Sequence, residues 1–499
     1  MEFLLRLGSR LGNRYVAAIG LIVLLGFGYA WLTGLNPAAR GELLVKAREL
    51  LPILMFVTLG VLLFSGYPVA FILGGLALIF GLLGFLLGSF KIVHFFNFVP
   101  RIWGQAAENL VLVAIPTFIF MGVMMERSGI AQDLLYCVQL ILKRVPGALA
   151  LGVTIMGTIL AAMTGIIGAS VTMMTALALP TMIKQGYSHA LSCGTIAAAG
   201  TLGILIPPSI MLIVMADLLT VSVGNLFSAA IVPGLTLSAM YLLFIFFAAK
   251  LKPSLAPPLP PDLLTVPKGK LGPLLFRAFF PPVFLIGTIK LSILLGWATP
   301  SEAGAVGAAG AIVLAALWGR LSWKTMNGVC QSSARTISMV FFIIISATCF
   351  AFVYRQLGGD DLVEHWIKEA NLGSWGFVFL VMAIVFFLGF FLDWIEITLI
   401  VLPVFAPLVA TLDFGDHVPK ADIVYWFLIC LAVNLQTSFL TPPFGFALFY
   451  LKGIAPKEVK IQSIYRGIIP FVIIQLIGLI LVLLFPQLAL WLMHASYDN

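Results

Sequence analysis

The sequence predicts an all-α polytopic membrane protein made of two inverted repeats, each holding a re-entrant hairpin and a broken helix. Three observations carry this. Of 499 residues, 61% are hydrophobic and only 10% charged, and the mean hydropathy is +1.12; such a chain belongs largely in lipid. Two long apolar segments are each interrupted by a proline pair, Pro207-Pro208 and Pro442-Pro443. Around these pairs the chain falls into two inventories with the same order of parts. A matched pair of interrupted hydrophobic segments is the best sequence pointer to the binding site of a secondary transporter.

Residues 1–50 stand outside the repeats. Arg6, Arg10 and Arg14 precede an apolar run over 15–33. A signal peptide is the rival reading, but the run is long and no small-x-small site closes it; an uncleaved helix fits better. Residues 34–49, with Arg40, Lys46 and Arg48, read as a short amphipathic connector. The first repeat, 51–249, offers a helix pair (51–66 and 68–89), a helix near 109–127 and a hairpin over 147–183. A broken segment over 190–216 and a closing helix over 225–249 complete it. The linker 250–272 carries Pro253, Pro257, Pro258, Pro260, Pro261 and Pro267 and reads as a stiff, solvated spacer. The second repeat, 273–495, offers a pair near 277–297 and 300–319, a helix near 333–354 and a hairpin over 374–411. Its broken segment spans 423–451 and its closing helix 465–492.

The formal charge of +8 would suggest nucleic acid in a soluble protein. Here the basic residues sit in short loops and serve as topology signals, so no nucleic-acid partner is expected. Five crossings plus one hairpin per repeat is odd, so the second copy must be inverted. Positive-inside counting agrees. With the linker cytoplasmic, regions 127–146, 184–189, 320–324 and 452–466 fall on the same side, and they carry Arg127, Lys143, Arg144, Lys184, Arg320, Lys324, Lys452, Lys457, Lys460 and Arg466. The expected external regions 217–224, 355–374 and 411–422 are poor in base or acidic. The exception is 90–107, external yet bearing Lys91 and Arg101. This puts the N-terminus in the cytoplasm and the C-terminus in the periplasm.

A helix must break at Pro207-Pro208, because neither proline donates a backbone hydrogen bond and Pro208 drives Pro207 out of the α region. Open carbonyls at membrane depth are tolerated only when buried in protein or lining a wet cavity. Close packing of small residues is the competing explanation for the glycines here, but it leaves two proline breaks in corresponding places unexplained. Carbonyls with Ser and Thr hydroxyls replace the hydration shell of a small cation, and helix N-termini suit an anion. Neither hairpin contains Arg or Lys, so a substrate anion would be balanced by N–H dipoles and co-bound cations. Asp393 and Glu396 lie deep in apolar sequence, where carboxylates are costly; cation binding, proton relay and capping of local N–H groups all remain open for them. Glu108, Glu126 and Glu302 lie near helix ends, where a solvated or terminus role is expected. The five scattered cysteines form no metal spacing or disulfide framework. The histidines form neither a metal pair nor a triad, and there is no P-loop. An intramembrane enzyme is therefore disfavoured, and no cofactor is expected; a channel is a third class, one that would need a continuous pore.

The runs Gly200-Thr-Leu-Gly-Ile-Leu-Ile-Pro-Pro-Ser209, Ala298-Thr-Pro-Ser-Glu-Ala303 and Leu440-Thr-Pro-Pro443 resemble the large membrane subunit (DctM-like) of the tripartite ATP-independent periplasmic (TRAP) transporters. Ala114-Ile-Pro-Thr-Phe118 and Leu388-Gly-Phe-Phe-Leu-Asp393 add to the match, which covers nearly the whole chain from Leu50. The resemblance implies a sodium-driven, elevator-type importer in the bacterial inner membrane. It also implies a separate small four-helix membrane subunit (DctQ-like), a periplasmic substrate-binding protein and a carboxylate or sialic acid as substrate. It places a first sodium site on Thr164 with the carbonyls of Gly203, Leu205 and Pro208, and a second on Thr398, Thr437, Leu440 and Pro443. Substrate-binding candidates beside them are Gly165, Ser170, Thr201, Asp393, Glu396 and Thr441. Where the family commonly reads Ser-Gly-Ser, this chain has Thr164-Gly165-Ile166, with Ser170 or Thr172 as substitutes for the second hydroxyl. The run Asp393-Trp-Ile-Glu-Ile-Thr398 looks like a branch associated with organic or aromatic acids. The helix over 15–33 resembles the connecting helix of fused subunits. The nearest alternative is a stand-alone sodium- or proton-coupled carboxylate transporter working without a binding protein.

Overall fold

The computed structural model describes residues 37–63, 65, 67–164, 167–258, 271–369, 372–442 and 445–497, and among them every regular element is a helix. The run 15–33, the linker core 259–270, Gly165 and Pro443 lie outside the described residues. In the first half the helices are α1 (Pro37–Leu63), α2 (Val69–Leu87), α3 (Ala114–Arg127), α4 (Ile130–Leu142) and α5 (Ala148–Thr164). They are followed by α6 (Ile167–Lys184), α7 (His189–Thr201), α8 (Ile210–Leu218) and α9 (Val223–Leu251). The second half begins with α10 (Leu271–Leu294), α11 (Pro300–Leu317), α12 (Trp323–Gln356), α13 (Gly359–Glu369) and α14 (Ser374–Leu388). It ends with α15 (Trp394–Val409), α16 (Ile423–Leu440), α17 (Phe446–Ile454), α18 (Ile461–Leu484) and α19 (Gln487–Tyr497). Six of the described helices (α2, α9, α11, α12, α16 and α18) are long and apolar enough to cross a bilayer. Large apolar side chains such as Phe71, Phe276, Phe280, Leu317 and Trp323 are exposed on the outside, a surface suited to hydrocarbon rather than water.

The core sits in the broken segments. Residues 191–216 and 426–440 are buried without interruption. Helices hydrophobic all round belong inside a large bundle, and the other elements wrap these two. Three pairings between the halves have a counterpart. α7 packs on α18 and α16 on α9; α2 packs on α12 and α3 on α11; α8 packs on α15 and α6 on α17. The first crossing is closest at two glycines, since a Cβ on Gly194 would collide with the Gly467 carbonyl and one on Gly467 with the Ala190 carbonyl. Small residues at such crossings let backbones approach and gain dispersion contact that lipid cannot supply.

Polar contacts join the connecting segments to one another and to helix ends. Arg320 donates to the Ser128 carbonyl (3.0 Å) and pairs with Asp133 (2.8 Å), Arg127 donates to Ser332 (2.6 Å), and the Ser188 N–H donates to the Leu255 carbonyl (2.9 Å). At other loops Asn109 donates to Asp217 (2.8 Å), the Ser222 N–H to the Tyr425 hydroxyl (3.2 Å), and His494 meets Asp422 (3.0 Å). The 298–303 run proves to be a helix start. Thr299 caps α11 with Pro300 in its first turn, and Glu302 accepts from the Thr299 N–H at 2.8 Å in a capping box. The helix-terminus role expected of Glu302 is what its geometry displays.

Several boundaries differ from the sequence reading, each for a physical reason. The expected connector 34–49 is not separate, because α1 runs unbroken through Pro52. The region 127–146, read as a loop from its flanking charges, contains α4. Ile130, Leu134 and Val138 recur every fourth position and are buried, but the period is short and hidden between Arg127 and Lys143. α13 likewise occupies 359–369, and short helices at Val93–Phe96 and Phe98–Ile102 occupy part of 90–107. The closing helix expected over 465–492 splits into α18 and α19 at Pro486, which lacks an N–H and holds Phe485 extended (φ −123°, ψ 77°).

A methyl group at the α7–α18 crossing meets backbone and has no flexible neighbour to displace. Gly467→Ala is therefore expected to cost about 1–3 kcal/mol by overpacking, read as a lower melting temperature in detergent. An unchanged melting point would mean that the two helices do not approach as described.

Candidate functional site

Two hairpin tips and two helix breaks converge. In the first half, α7 ends at Thr201, a single 3-10 turn covers Leu202–Ile204, and α8 resumes at Ile210. The helical ladder lapses around Pro207-Pro208, and the Ser209 hydroxyl turns back to the Ile204 carbonyl (2.6 Å). The start of α6 lies against this break, for a Cβ on Gly200 would strike Val171. Ser170 and Thr201 are both fully buried there. Gly203, Leu205 and Pro208 lie within the break and are buried. Thr164 is the last residue of α5, but its side chain is outside the described residues.

The second half repeats the arrangement. α16 ends at Leu440, Thr441 is extended (φ −87°, ψ 127°), and α17 resumes at Phe446. The turn between α14 and α15 abuts this break: a Cβ on Gly389 would collide with the Ser438 side chain. Thr437 and Thr441 donate their hydroxyl protons to the Val433 (3.2 Å) and Thr437 (2.7 Å) carbonyls. Their oxygen lone pairs remain available as acceptors. Thr398 differs. Its hydroxyl is fully buried and has no hydrogen-bond partner among the described residues. A buried, unsatisfied hydroxyl costs free energy that a bound ion or water would recover.

The amino end of α15 is capped by its own acids. Glu396 Oε2 accepts from the Asp393 N–H (3.1 Å), and Asp393 Oδ1 accepts from the Trp394 N–H (2.8 Å). Of the three roles left open for this pair, capping is the one whose geometry is visible, and each carboxylate keeps a second oxygen.

Residues that sequence reasoning passed over tie these parts together. Gln436 Nε2 donates to the Thr201 carbonyl at 3.1 Å, tying one break to the other, while its Oε1 is buried without a partner. Asn434 Nδ2 donates to the Met382 carbonyl (2.7 Å), fixing α16 to the second hairpin. Tyr450, on α17, lies against the first hairpin: a Cβ on Gly168 would stand 2.8 Å from its ring. Tyr450 is also within electrostatic reach of Asp393 and Glu396. Gln436 had a sequence signal, an amide in an otherwise apolar helix. Tyr450 had none.

A family model for the DctM component of the tripartite ATP-independent periplasmic transporters matches residues 56–488. The chain belongs to that family. Among DctM relatives, the C4-dicarboxylate TRAP transporter large permease protein of Pseudomonas aeruginosa is 30% identical over 390 residues, covering 77% of this chain and 87% of that one. The isethionate TRAP transporter permease protein DctMQ of Oleidesulfovibrio alaskensis is 27% identical over 404 residues, covering 79% of this chain and 60% of that one. Among solved structures, the YdaH transporter of Alcanivorax borkumensis is similar in fold, with a TM-score of 0.55 at 14% identity over 81% of this chain and 89% of that one. The DctM relatives are named as transporter permeases, so the chain is a multi-pass membrane transport protein and not an enzyme.

Replacing Thr398 by valine removes a hydroxyl that nothing among the described residues satisfies and keeps its volume. In sodium-free buffer, Thr398→Val should melt at or above the parental temperature, because burying an unpaired hydroxyl costs about 1–3 kcal/mol. A lower melting temperature would mean that the hydroxyl has a structural partner.

Proposed function

We propose that this chain is the permease subunit of a sodium-driven, binding-protein-dependent importer of organic acids, working by an elevator movement in the bacterial inner membrane. The observation that carries this reading is the junction of both breaks through Gln436 and Thr201, with a hairpin tip on each. Sodium would bind at the first break, to Thr164 and the carbonyls of Gly203, Leu205 and Pro208, and at the second, to Thr398, Thr437, Leu440 and Pro443. Carbonyls released from helical bonding and hydroxyl lone pairs supply the oxygen shell that a small cation needs. The carboxylate would lie between the tips, near Gly165, Ser170, Thr201, Asp393, Glu396 and Thr441. The relatives carry C4-dicarboxylates and isethionate by name, and both are small organic anions.

Inverted repeats are supported by the paired contacts between halves and by the hydrogen bonds among loops of like charge. An elevator is supported by the way α5–α8 and α14–α17 form one buried body, while α2, α3, α11 and α12 pair among themselves. In such a movement the ions and substrate travel inside the mobile body, so no continuous pore opens. Partners would be a small membrane subunit and a periplasmic binding protein. The relative named DctMQ, of which this chain covers 60%, supports a small-subunit partner.

Uptake in proteoliposomes with the partners present should require a sodium gradient and no ATP. Thr164→Val and Thr437→Val each remove one ligand oxygen beside a charge, at about 1.5–3 kcal/mol, so half-saturating sodium should rise roughly ten- to hundredfold. Undiminished uptake with potassium on both sides would sink the coupling, and parental sodium dependence in both variants would sink the site.

The proposed topology puts the linker and the acidic segment after α12 on opposite sides. Single cysteines at Pro258 and Asp361, in a background without the five native cysteines, should be labelled from the cytoplasm and the periplasm respectively. Labelling of both from one side would refute the inversion.

A further inference from the structure

The segment 90–107 is the exception to positive-inside counting, and the structure gives its arginine a setting. Phe90, Phe95 and Phe98 pack edge-on with one another and with Phe352 of α12, fixing the short helix Phe98–Ile102 against the bundle. Arg101, on that helix, lays its guanidinium over the Phe352 ring, 4.2 Å from the centroid. A guanidinium held by its face keeps its N–H donors free at the edge. The Arg101 side chain has no ion pair or hydrogen bond among the described residues. One helical turn beyond Phe352, Arg355 donates from Nη2 to the Pro403 carbonyl of α15 (2.9 Å) and stands 3.4 Å from Asp360. Its remaining donors are not engaged by these contacts.

Both arginines line one cavity of about 110 Å³, together with Gln105, Thr348, Phe352 and Leu399. Polar and apolar surface are both present there. Two guanidiniums and no carboxylate line the cavity, so its wall carries positive charge. Leu399 follows Thr398 directly, and Leu218 at the end of α8 closes another wall. The cavity thus lies on the seam between α12 and the hairpin limb that carries the Thr398 hydroxyl.

From the juxtaposition of Arg101 and Arg355 across this cavity we propose an outer anion site, occupied by the carboxylate substrate before it passes to the centre between the tips. The proposal rests on reading the chain as an organic-acid importer with 90–107 external. A carboxylate takes paired N–H donors from a guanidinium fork, and the apolar walls would receive its carbon body. Arg101, one of the two basic residues that disagree with topology counting, then has a ligand rather than a topological role. Arg101 holds its place through aromatic contact alone, which leaves it available to the anion. Arg355 ties the site to the hairpin limb through Pro403.

The test is direct binding to the purified full-length chain in nanodiscs, with choline replacing sodium so that the central site is unfilled. Succinate is the probe and the uncharged succinamide the control, followed by ligand-observed NMR. Millimolar succinate should bind and succinamide should not. Arg101→Gln and Arg355→Gln should each weaken binding at least about tenfold, the loss expected for a charged hydrogen bond. Arg101→Lys, which keeps charge but not the fork, should fall between. Melting of each variant is measured alongside; if Arg355→Gln is unstable, Arg101→Gln alone decides. No succinate binding to the parental chain, equal binding of succinamide, or parental affinity in Arg101→Gln would overturn the site. Because sodium is absent, these outcomes are independent of sodium-driven uptake, whose failure would strike the transport reading instead.

Discussion

Every peptide group placed in hydrocarbon must find a partner, and the two helix breaks are where this chain leaves that demand to tertiary structure. The amide of Gln436 reaches the Thr201 carbonyl, the last residue of α7. One break therefore satisfies part of the other. Around this bond the burial is complete on both segments, and the hairpin tips close on them through contacts that admit no added methyl group. The remaining helices shield this junction or hold it in register. Tight packing here also limits how the site can change: a body whose parts touch at glycine distance moves as a unit before it deforms.

Much of this was legible in the sequence because its cause is local. A proline pair removes two N–H donors and restricts the residue before it, so both breaks were visible. The capping box at Thr299 and Glu302 is equally local. What escaped was amphipathic or tertiary. α4 is short and bounded by the same basic residues that made its segment look like a loop. α1 continued through Pro52, where a local rule favoured a boundary. Asp393 and Glu396 stood out as buried acids, yet their capping geometry depends on the exact start of α15. Tyr450 carries no local sign at all. Its place is set by the packing of α17 on α6, across some 280 residues of chain from Gly168 to Tyr450.

The family motifs divide along the same line. The 298–303 run is a helix start whose threonine, proline and glutamate each satisfy or avoid an orphan N–H. The run around Pro207-Pro208 instead interrupts its helix, and the carbonyls of Thr201 and Ile204 are met by the side chains of Gln436 and Ser209. Conventional helix chemistry explains the first kind completely, whereas the second kind lies outside it. Thr398 belongs with the second kind, since a threonine in a helix ordinarily bonds back to a carbonyl one turn earlier, and this one does not.

Charge decides how such a centre can serve an anion. Between residues 147 and 183 and between 374 and 411 there is no lysine or arginine, while Asp393 and Glu396 sit at the second tip. A carboxylate brought there alone would meet like charge in a low-dielectric interior, where the repulsion is several times its value in water. Helix N-termini offset part of this, each acting as roughly half a positive charge. In the proposed reading, cations bound at the two breaks would supply the rest. Cation and anion then each lower the cost of binding the other, and that mutual dependence is thermodynamic coupling. Fixed arginines in the hairpins would remove it, because they would hold the anion whether or not a cation was present. At the rim, outside the tips, Arg101 and Arg355 can attract an anion without weakening that dependence.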